Sequence, residues 1–140
     1  MRVFWDTNLF IYLWEEGPWS EDLRQVRGLM RERHAEWVTS ALTVGEIVVH
    51  PLRKKDAAQA ERYRDAFRSI EVVSFDEAAA FRFAAIRAGH PRVRPPDAIQ
   101  LACAAASGCD WFLTHDRRLR GLQVDGLGQV ASYRDFALVK

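Results

Sequence analysis

The segment Val3-Phe4-Trp5-Asp6-Thr7-Asn8 places a carboxylate between a short apolar run and the start of a second apolar stretch. Residues 2–5 are mostly apolar, a pattern that predicts a buried first strand. Residues 9–14 are apolar as well and are followed by Gly17-Pro18, a pair that breaks a helix. The sequence therefore predicts a strand that ends, and a helix that begins, at Asp6.

The rest of the chain repeats this alternation of strand and helix. Short apolar runs predict further strands at residues 37–39, 71–75, 111–113 and 129–131, with a tail after the last. Helices are predicted to start at capping side chains or at prolines, namely Ser20, Ser40, Asp76 and Pro95-Pro96. Residues 56–68 predict a charged surface helix, and residues 117–120 a single helical turn. Strands that alternate with helices predict an α/β fold with a parallel sheet covered on both faces.

The composition fits one domain with a substantial hydrophobic core. The chain has 140 residues, of which 49% are hydrophobic, so we expect a single domain over residues 1–140. A net charge of +1 excludes a chain that attracts nucleic acid through its overall charge. The basic residues are 17 Arg and 3 Lys. Arg pairs well with phosphate, although a coding bias toward Arg and Ala explains the count equally well.

The sequence offers no sign of a membrane segment or of a cysteine framework. Cys103 and Cys109 form neither a metal motif nor a disulfide pattern. The chain does not open with a charged segment followed by an apolar one, and no apolar run is long enough to span a bilayer. We therefore predict no membrane association and a location in the reducing cytoplasm.

Four acidic residues occupy positions where side chains of an α/β fold can meet. In an open α/β sheet, ligands bind at the carboxyl ends of the strands. Asp6 and Asp116 each follow a predicted strand, and Asp97 lies in the first turn of a predicted helix. Glu46 falls inside a helix, from which its longer side chain could reach a shared pocket. The pattern predicts that all four carboxylates line one cleft.

Each acid also has a simpler explanation when it is taken alone. Asp6 could cap the first helix, since Asp is a favoured N-cap residue, and Asp97 could complement a helix dipole. Asp116 could be a turn residue, and Glu46 a solvated surface side chain. The combined hypothesis depends on the coincidence of all four acids at functional ends of elements.

A cluster of carboxylates suits metal-dependent phosphodiester chemistry. Carboxylates are hard oxygen ligands that match Mg²⁺ or Mn²⁺. Such ions can polarise a phosphodiester, activate a water and neutralise the leaving oxygen. Crowded carboxylates repel one another without a cation, so the site is expected to be partly protonated when metal-free and stabilised by metal.

At these residues the chain resembles the PIN-domain family, and within it the VapC-like toxins of toxin–antitoxin pairs. Asp6-Thr7-Asn8 after an apolar strand is similar to the family's first motif, and residues 40–47, with Glu46, are similar to the second. Residues 96–102 around Asp97 are similar to the third motif. Residues 113–116 are similar to the fourth, in which a hydroxyl residue lies two positions before the acid. The motifs follow the family's order and cover nearly the whole chain.

The resemblance implies a PIN-like three-layer α/β/α fold with a central, mostly parallel sheet of four to five strands. It implies an endoribonuclease that uses Mg²⁺ or Mn²⁺ and leaves a 5′-phosphate and a 3′-hydroxyl. All four acids would be catalytic, and three would hold the metal: Asp6, Asp97 and Asp116. Asn8 and Thr114 would steady the acids by hydrogen bonds. As a toxin, the protein would form a homodimer and would be blocked by a small VapB-like antitoxin.

Four further residues are candidate contacts with RNA or with a protein partner. Trp19 is a residue type that is enriched at interfaces and can stack on bases. Arg92 and Arg94 could touch an RNA backbone, and His115 could contact a phosphate. A solvated loop and an exposed bystander are the simpler interpretations of these Arg and His residues. Trp14, by contrast, is expected in the core.

Three other functions stay open at the level of the sequence. The domain could bind RNA or protein without cutting it, although a binder has no need of four acids. It could be a PIN nuclease of RNA processing that has no antitoxin. It could also be another metal-dependent α/β phosphotransferase, for which an Asp-x-Asp after the first strand is expected; this chain has Asp6-Thr7-Asn8 instead.

Overall fold

Strands and helices alternate along the chain in the computed structural model, which describes residues 1–139. The strands are β1 Arg2–Trp5, β2 Glu36–Ser40, β3 Glu71–Val73, β4 Trp111–Thr114 and β5 Gln129–Ser132. The helices are α1 Thr7–Trp14, α2 Ser20–Glu32, α3 Ala41–Arg53, α4 Ala57–Ala66, α5 Glu77–Gly89, α6 Pro95–Ala106 and α7 Tyr133–Leu138. A short 3₁₀ turn, Phe67–Ser69, follows α4.

The five strands form one sheet in the order β3-β2-β1-β4-β5, and every strand pair is parallel. The chain runs outward from β1 through β2 to β3, and then returns to the other side of β1 with β4. The strand order therefore reverses between β1 and β4, and such a reversal opens a crevice at the carboxyl ends of the two strands. The parallel sheet is confirmed, with five strands and no antiparallel pair among them.

The sheet is covered on both faces, as the alternation of its side chains requires. Two hydrophobic clusters lie on opposite faces of the sheet. In β1, Val3 and Trp5 belong to the cluster that α1, α2 and α7 cover, whereas Phe4 belongs to the cluster that α5 and α6 cover. Phe4 stacks on Phe112 of β4 with ring centroids 5.1 Å apart. Burial of each such side chain stabilises the fold by roughly 1.5–3 kcal/mol. The predicted three-layer α/β/α arrangement is confirmed.

All four predicted helix starts agree with the structure in position, including Pro95-Pro96 at the start of α6, but two of the three predicted side-chain caps are not formed. Asp76 caps α5, because its Oδ1 accepts a hydrogen bond from the backbone N–H of Ala79 at 2.9 Å. The predicted caps at Ser20 and Ser40 are wrong at the level of the side chain. Ser20 Oγ lies 2.8 Å from the carbonyl oxygens of Tyr12 and Glu15, so it ties the α1–α2 connection together instead.

The C-terminal third also departs from the sequence prediction. Residues 117–120 form a hydrogen-bonded turn and no helix, in which the N–H of Leu119 donates to the carbonyl of Asp116 at 3.2 Å. The residues after β5 are no simple tail, because α7 begins there with a capping box. Ser132 Oγ accepts from Arg134 N–H, and Asp135 Oδ2 accepts from Ser132 N–H, each at 3.2 Å. Ser132-x-x-Asp135 resembles the signature of such a helix start.

Among residues 1–139, no helix combines the length and the apolar character that crossing a membrane requires. The single domain over residues 1–140 stays a prediction.

Candidate active site

The crevice between β1 and β4 holds the first and the last acid of the chain side by side. The backbone N–H of Asp6 donates to the carbonyl of Leu113 at 3.0 Å, which extends the β1–β4 pairing to the acid itself. Thr114 Oγ1 donates to Asp6 Oδ2 at 2.9 Å and accepts from the backbone N–H of Asp116 at 3.0 Å. One hydroxyl group therefore connects the acid after β1 to the acid after β4.

All four predicted acids line a single cavity of about 390 Å³ at this crevice. Asp6 and Asp116 enter it from the strand ends, Asp97 from the first turn of α6, and Glu46 from α3. The same cavity is lined by Thr7, Asn8, Ile11, Arg94, Pro96, Gln100 and Arg118. The fold thus brings together acids that are separated by up to 110 positions in the sequence, the distance from Asp6 to Asp116.

Asp6 is the most deeply buried of the acids, with 7% of its surface exposed. Its pKa is raised to about 6, chiefly by burial and to a lesser extent by the negative charges of Asp97 and Glu46, while hydrogen bonds from Thr114 and Thr7 act in the opposite direction. Its Oδ1 accepts from the backbone N–H of Thr7 at 2.8 Å, and Asp6 is also the N-cap of α1. The capping interpretation and the active-site interpretation therefore describe the same side chain.

The two remaining aspartates experience opposite electrostatic surroundings. The pKa of Asp97 is raised, by partial burial and then by the negative charge of Asp116. The pKa of Asp116 is lowered, chiefly by hydrogen bonds from Arg118, whose Nε and Nη2 lie 3.0 and 2.7 Å from the carboxylate oxygens. Arg118 is exposed, so this ion pair lies at the rim of the cavity rather than inside the protein.

Glu46 is exposed to solvent but held in place by a buried polar network. Thr7 Oγ1 donates to Glu46 Oε1 at 2.8 Å, and Gln100 Nε2 donates to Thr7 Oγ1 at 3.0 Å and to Thr43 Oγ1 at 2.7 Å. Ser40 Oγ donates to Gln100 Oε1, which explains why this serine occupies the N-cap position of α3 without a capping bond from its side chain. The network joins α1, α3 and α6 behind the acids.

Sequence analysis did not identify Thr7, Thr43, Gln100 or Arg118 as parts of the site. Helical spacing could have indicated two of them, because Gln100 lies three residues after Asp97 and Thr43 three residues before Glu46, on the same helix faces as the acids. Nothing in the sequence indicates that the side chain of Arg118 pairs with the carboxylate of Asp116, two positions earlier.

The structure places the two predicted supporting residues differently. Thr114 is fully buried and hydrogen-bonded to Asp6. Asn8 is exposed and lines the cavity, but its side chain makes no hydrogen bond to an acid within residues 1–139. The supporting roles of both residues stay predictions, and the geometry gives Thr114 the stronger case.

The candidate contact residues fall on two sides of the site. Trp19 and His115 are half-buried next to each other, with ring centroids 4.8 Å apart, and Trp19 also packs on Tyr12 at 4.7 Å. Burial and the nearby arginines Arg120, Arg134 and Arg117 lower the pKa of His115. On the other side, Arg94 lines the cavity of the acids and Arg92 lines the neighbouring one.

Trp14, which the sequence places in the core, is half-buried and packs against aromatic side chains at the edge of the core. Its ring lies 5.2 Å from that of Phe67, 5.3 Å from that of Phe10 and 5.6 Å from that of Tyr63.

The donor chemistry of the cavity fits Mg²⁺ or Mn²⁺, since four carboxylates face one space and two of them raise the pKa of Asp6. Within the described residues, however, no three His, Cys, Asp or Glu side chains form a group that could hold a metal ion. Three of the acids make hydrogen bonds within the protein, Asp6 with Thr114, Glu46 with Thr7 and Asp116 with Arg118. The acids would have to exchange some of these partners to share a cation.

Fold and site together define an α/β protein with an acidic cavity at the switch point of a parallel sheet. The family model of the PIN domain matches residues 3–124, most of the chain. The protein therefore belongs to the PIN domain family. None of the curated proteins matches this chain.

Solved structures with the same fold include three toxin–antitoxin assemblies. VapBC2 from Rickettsia felis, bound to a DNA fragment from its promoter, has a TM-score of 0.76 at 14% identity, covering 94% of this chain and 98% of that one. DNA-bound VapBC from Salmonella typhimurium has a TM-score of 0.70 at 22% identity, covering 95% and 98%. A toxin–antitoxin complex from Klebsiella pneumoniae has a TM-score of 0.68 at 22% identity, covering 89% and 94%. At these identities the similarity establishes the fold alone.

Proposed function

We propose that the protein is a Mg²⁺- or Mn²⁺-dependent endoribonuclease and the toxin of a VapBC-type toxin–antitoxin pair. The observation that carries the proposal is the meeting of Asp6, Glu46, Asp97 and Asp116 in one cavity at the switch point of the sheet. Membership of the PIN domain family, whose members are generally nucleases, supports the same activity. The predicted cytoplasmic location accompanies this proposal and stays a prediction.

Each residue of the cavity has a proposed role that follows from its surroundings. Asp6, Asp97 and Asp116 would hold the metal, which supplies charge neutralisation at the phosphodiester and activates water when it is bound. Thr114 fixes the direction of the Asp6 carboxylate, and Thr7 fixes that of Glu46. Glu46, which is exposed, would orient a water and accept its proton.

The proposed partners follow from the same resemblance. The neighbours from Rickettsia felis and Salmonella typhimurium are VapBC assemblies, which supports a small VapB-like antitoxin as the partner of this chain. A homodimer is proposed on the same basis. A short open reading frame that encodes a DNA-binding protein next to this gene would favour the toxin over a PIN nuclease of RNA processing.

The proposed metal site is tested by calorimetric titration of Mn²⁺ into the wild type and into Asp97→Asn. We expect binding by the wild type that weakens at least about tenfold in the variant, because a ligating carboxylate is lost. Asp125→Asn is the matched control, since Asp125 is exposed and lines a different cavity. Equal affinities for the wild type and Asp97→Asn would remove Asp97 from the metal site.

Trp19 provides a separate test of substrate contact. We expect Trp19→Ala to weaken the binding of a labelled single-stranded RNA in EDTA by at least about fivefold, because stacking on one base is worth about 1–3 kcal/mol. The melting temperature should change little, since Trp19 packs on Tyr12 and His115, which are themselves only half-buried. Trp14→Ala is the comparison, because it removes a core contact and should lower the melting temperature. A large loss of stability in Trp19→Ala instead would assign Trp19 to the core.

A further inference from the structure

A second cavity, of about 570 Å³, lies directly beside the cavity of the acids. It is formed between the loop that precedes α6 and the turn that follows β4. Its volume falls in the range of about 300–1,000 Å³ that is usual for small-molecule sites. The sequence predicts RNA contacts for Arg92 and Arg94 of its lining but no role for its apolar side.

The walls of this cavity combine an apolar floor with a basic rim. Val93 and Leu119 are buried and Leu122 is half-buried, so they form the apolar side. Arg92 and Arg94 are exposed at the rim. An arginine rim above an apolar wall complements a ligand that carries both a flat apolar group and an anionic group.

The apolar floor is held in position by the protein itself. Arg87 of α5 donates a hydrogen bond to the carbonyl of Val93, and the backbone N–H of Val93 donates to the carbonyl of His90 at 3.0 Å. The loop that carries the two rim arginines is therefore anchored to α5. A ligand would meet a wall that is already formed, which reduces the entropy cost of binding.

The two cavities are adjacent and share part of their walls. Arg94, Asp97 and Arg118 line both of them. A polynucleotide whose phosphodiester lies against the acids would therefore place a neighbouring nucleotide in the second cavity. Arg guanidinium planes stack on bases and pair with phosphate oxygens, so the rim matches both parts of a nucleotide.

We propose that the cavity between Val93 and Leu122 is a nucleotide-binding subsite that holds one nucleotide of the RNA next to the cleaved bond. The base lies against the apolar side formed by Val93, Leu119 and Leu122, and its phosphate lies on Arg92 and Arg94. This inference rests on the proposed nuclease function for its substrate. An apolar peptide fits less well, because it would bring no anion to the arginine rim.

The subsite is tested with adenosine 5′-monophosphate as the probe, titrated into the full-length, metal-free protein in EDTA. We expect a Kd of about 1 mM or tighter. Arg92→Ala should weaken binding at least about fivefold, because a charge-assisted hydrogen bond is lost. Arg62→Ala is the matched control, since Arg62 is an exposed arginine on α4 outside the cavity. Arg92→Ala changes only an exposed side chain, so we expect it to fold.

A second comparison tests the apolar wall separately from the phosphate contact. Ribose 5-phosphate, which lacks the base, should bind at least about threefold more weakly than adenosine 5′-monophosphate. Leu122→Ala should reduce this difference, because Leu122 belongs to the apolar side. Equal binding of the two ligands to the wild type would overturn the assignment of the wall to a base.

The remaining outcomes separate this inference from the nuclease proposal. Absence of nucleotide binding at several millimolar, or binding that Arg92→Ala leaves unchanged, overturns the subsite even if the protein binds Mn²⁺ and cuts RNA. Nucleotide binding that is lost in Arg92→Ala supports the subsite even if Mn²⁺ binding and cleavage both fail, in which case only the proposed nuclease function falls. Binding of an acetylated Glu-Leu-Glu-Leu peptide without nucleotide binding would assign the cavity to a protein partner and overturn the inference.

Discussion

Asp97→Asn is expected to lower the rate of RNA cleavage at least about 100-fold while leaving the fold intact. Removal even of a residue that only supports a metal ligand costs up to about 100-fold, so loss of the ligand itself should cost at least as much. The fold should persist, because the pKa of Asp97 is raised by its surroundings and a neutral amide relieves that unfavourable charge. Cleavage of a mixed RNA substrate in Mn²⁺ and thermal unfolding of the same preparations measure the two effects.

Asp97→Asn has a matched control, and two results would contradict the expected loss of cleavage in a folded protein. Asp125→Asn removes an acidic charge of the same kind from the rim of another cavity and should leave cleavage unchanged. Wild-type cleavage by Asp97→Asn would exclude Asp97 from the catalytic site. Loss of cleavage together with a much lower melting temperature would instead show that Asp97 acts mainly on stability.

The positions of three of the four acids follow from local sequence pattern. Asp6 and Asp116 each come directly after an apolar strand, and parallel strands of one sheet present such ends at the same edge. Asp97 follows Pro95-Pro96, which sets the first turn of α6 and so the direction of the acid. The period-2 alternation that buries Phe4 on one face and Trp5 on the other predicts the two layers of helices.

Other features depend on contacts between distant parts of the chain, which local pattern does not contain. Ser40 has the residue type and position of an N-cap, but its hydroxyl donates a hydrogen bond to Gln100, 60 residues later, instead of capping the helix. The approach of Glu46 to the acids depends on how α3 is rotated, and α3 buries Thr43, Ile47 and Pro51 against distant parts of the chain. Thr7, 39 residues earlier, then donates a hydrogen bond to Glu46. Arg118 lies beside Asp116 because the chain turns there without forming a helix.

The pH dependence of the unfolding free energy should show that Asp6 is the acid whose ionisation destabilises the fold most. Its pKa in the folded protein is about 6, against an ordinary value of 3.8. The folded state therefore binds the proton more tightly than the unfolded chain does. The contribution of Asp6 to stability is fully present below pH 3.8, declines as the pH rises toward 6, and is lost above that. Each pKa unit corresponds to about 1.36 kcal/mol, so the whole change is about 3 kcal/mol.

Asp6→Asn should remove this pH dependence, because the amide carries no proton that titrates. Its Oδ1 can still accept the hydrogen bond from Thr7 N–H, so the helix cap is kept. In EDTA, we expect the variant to gain stability relative to the wild type between pH 4 and pH 7, measured by denaturant unfolding at each pH. Asp125→Asn should follow the wild type throughout. Parallel curves for the wild type and Asp6→Asn would contradict the raised pKa.

The same pair of proteins links the pH effect to the proposed metal. At pH 7 the wild type carries the unfavourable charge of Asp6 beside Asp97 and Glu46, and a bound divalent cation would neutralise it. Mn²⁺ should therefore raise the unfolding free energy of the wild type by more than that of Asp6→Asn, since a ligand stabilises only the state that binds it. An equal rise in both proteins would place the cation away from Asp6. A larger rise in the wild type means that a metal at pH 7 supplies the positive charge that a proton supplies at pH 4.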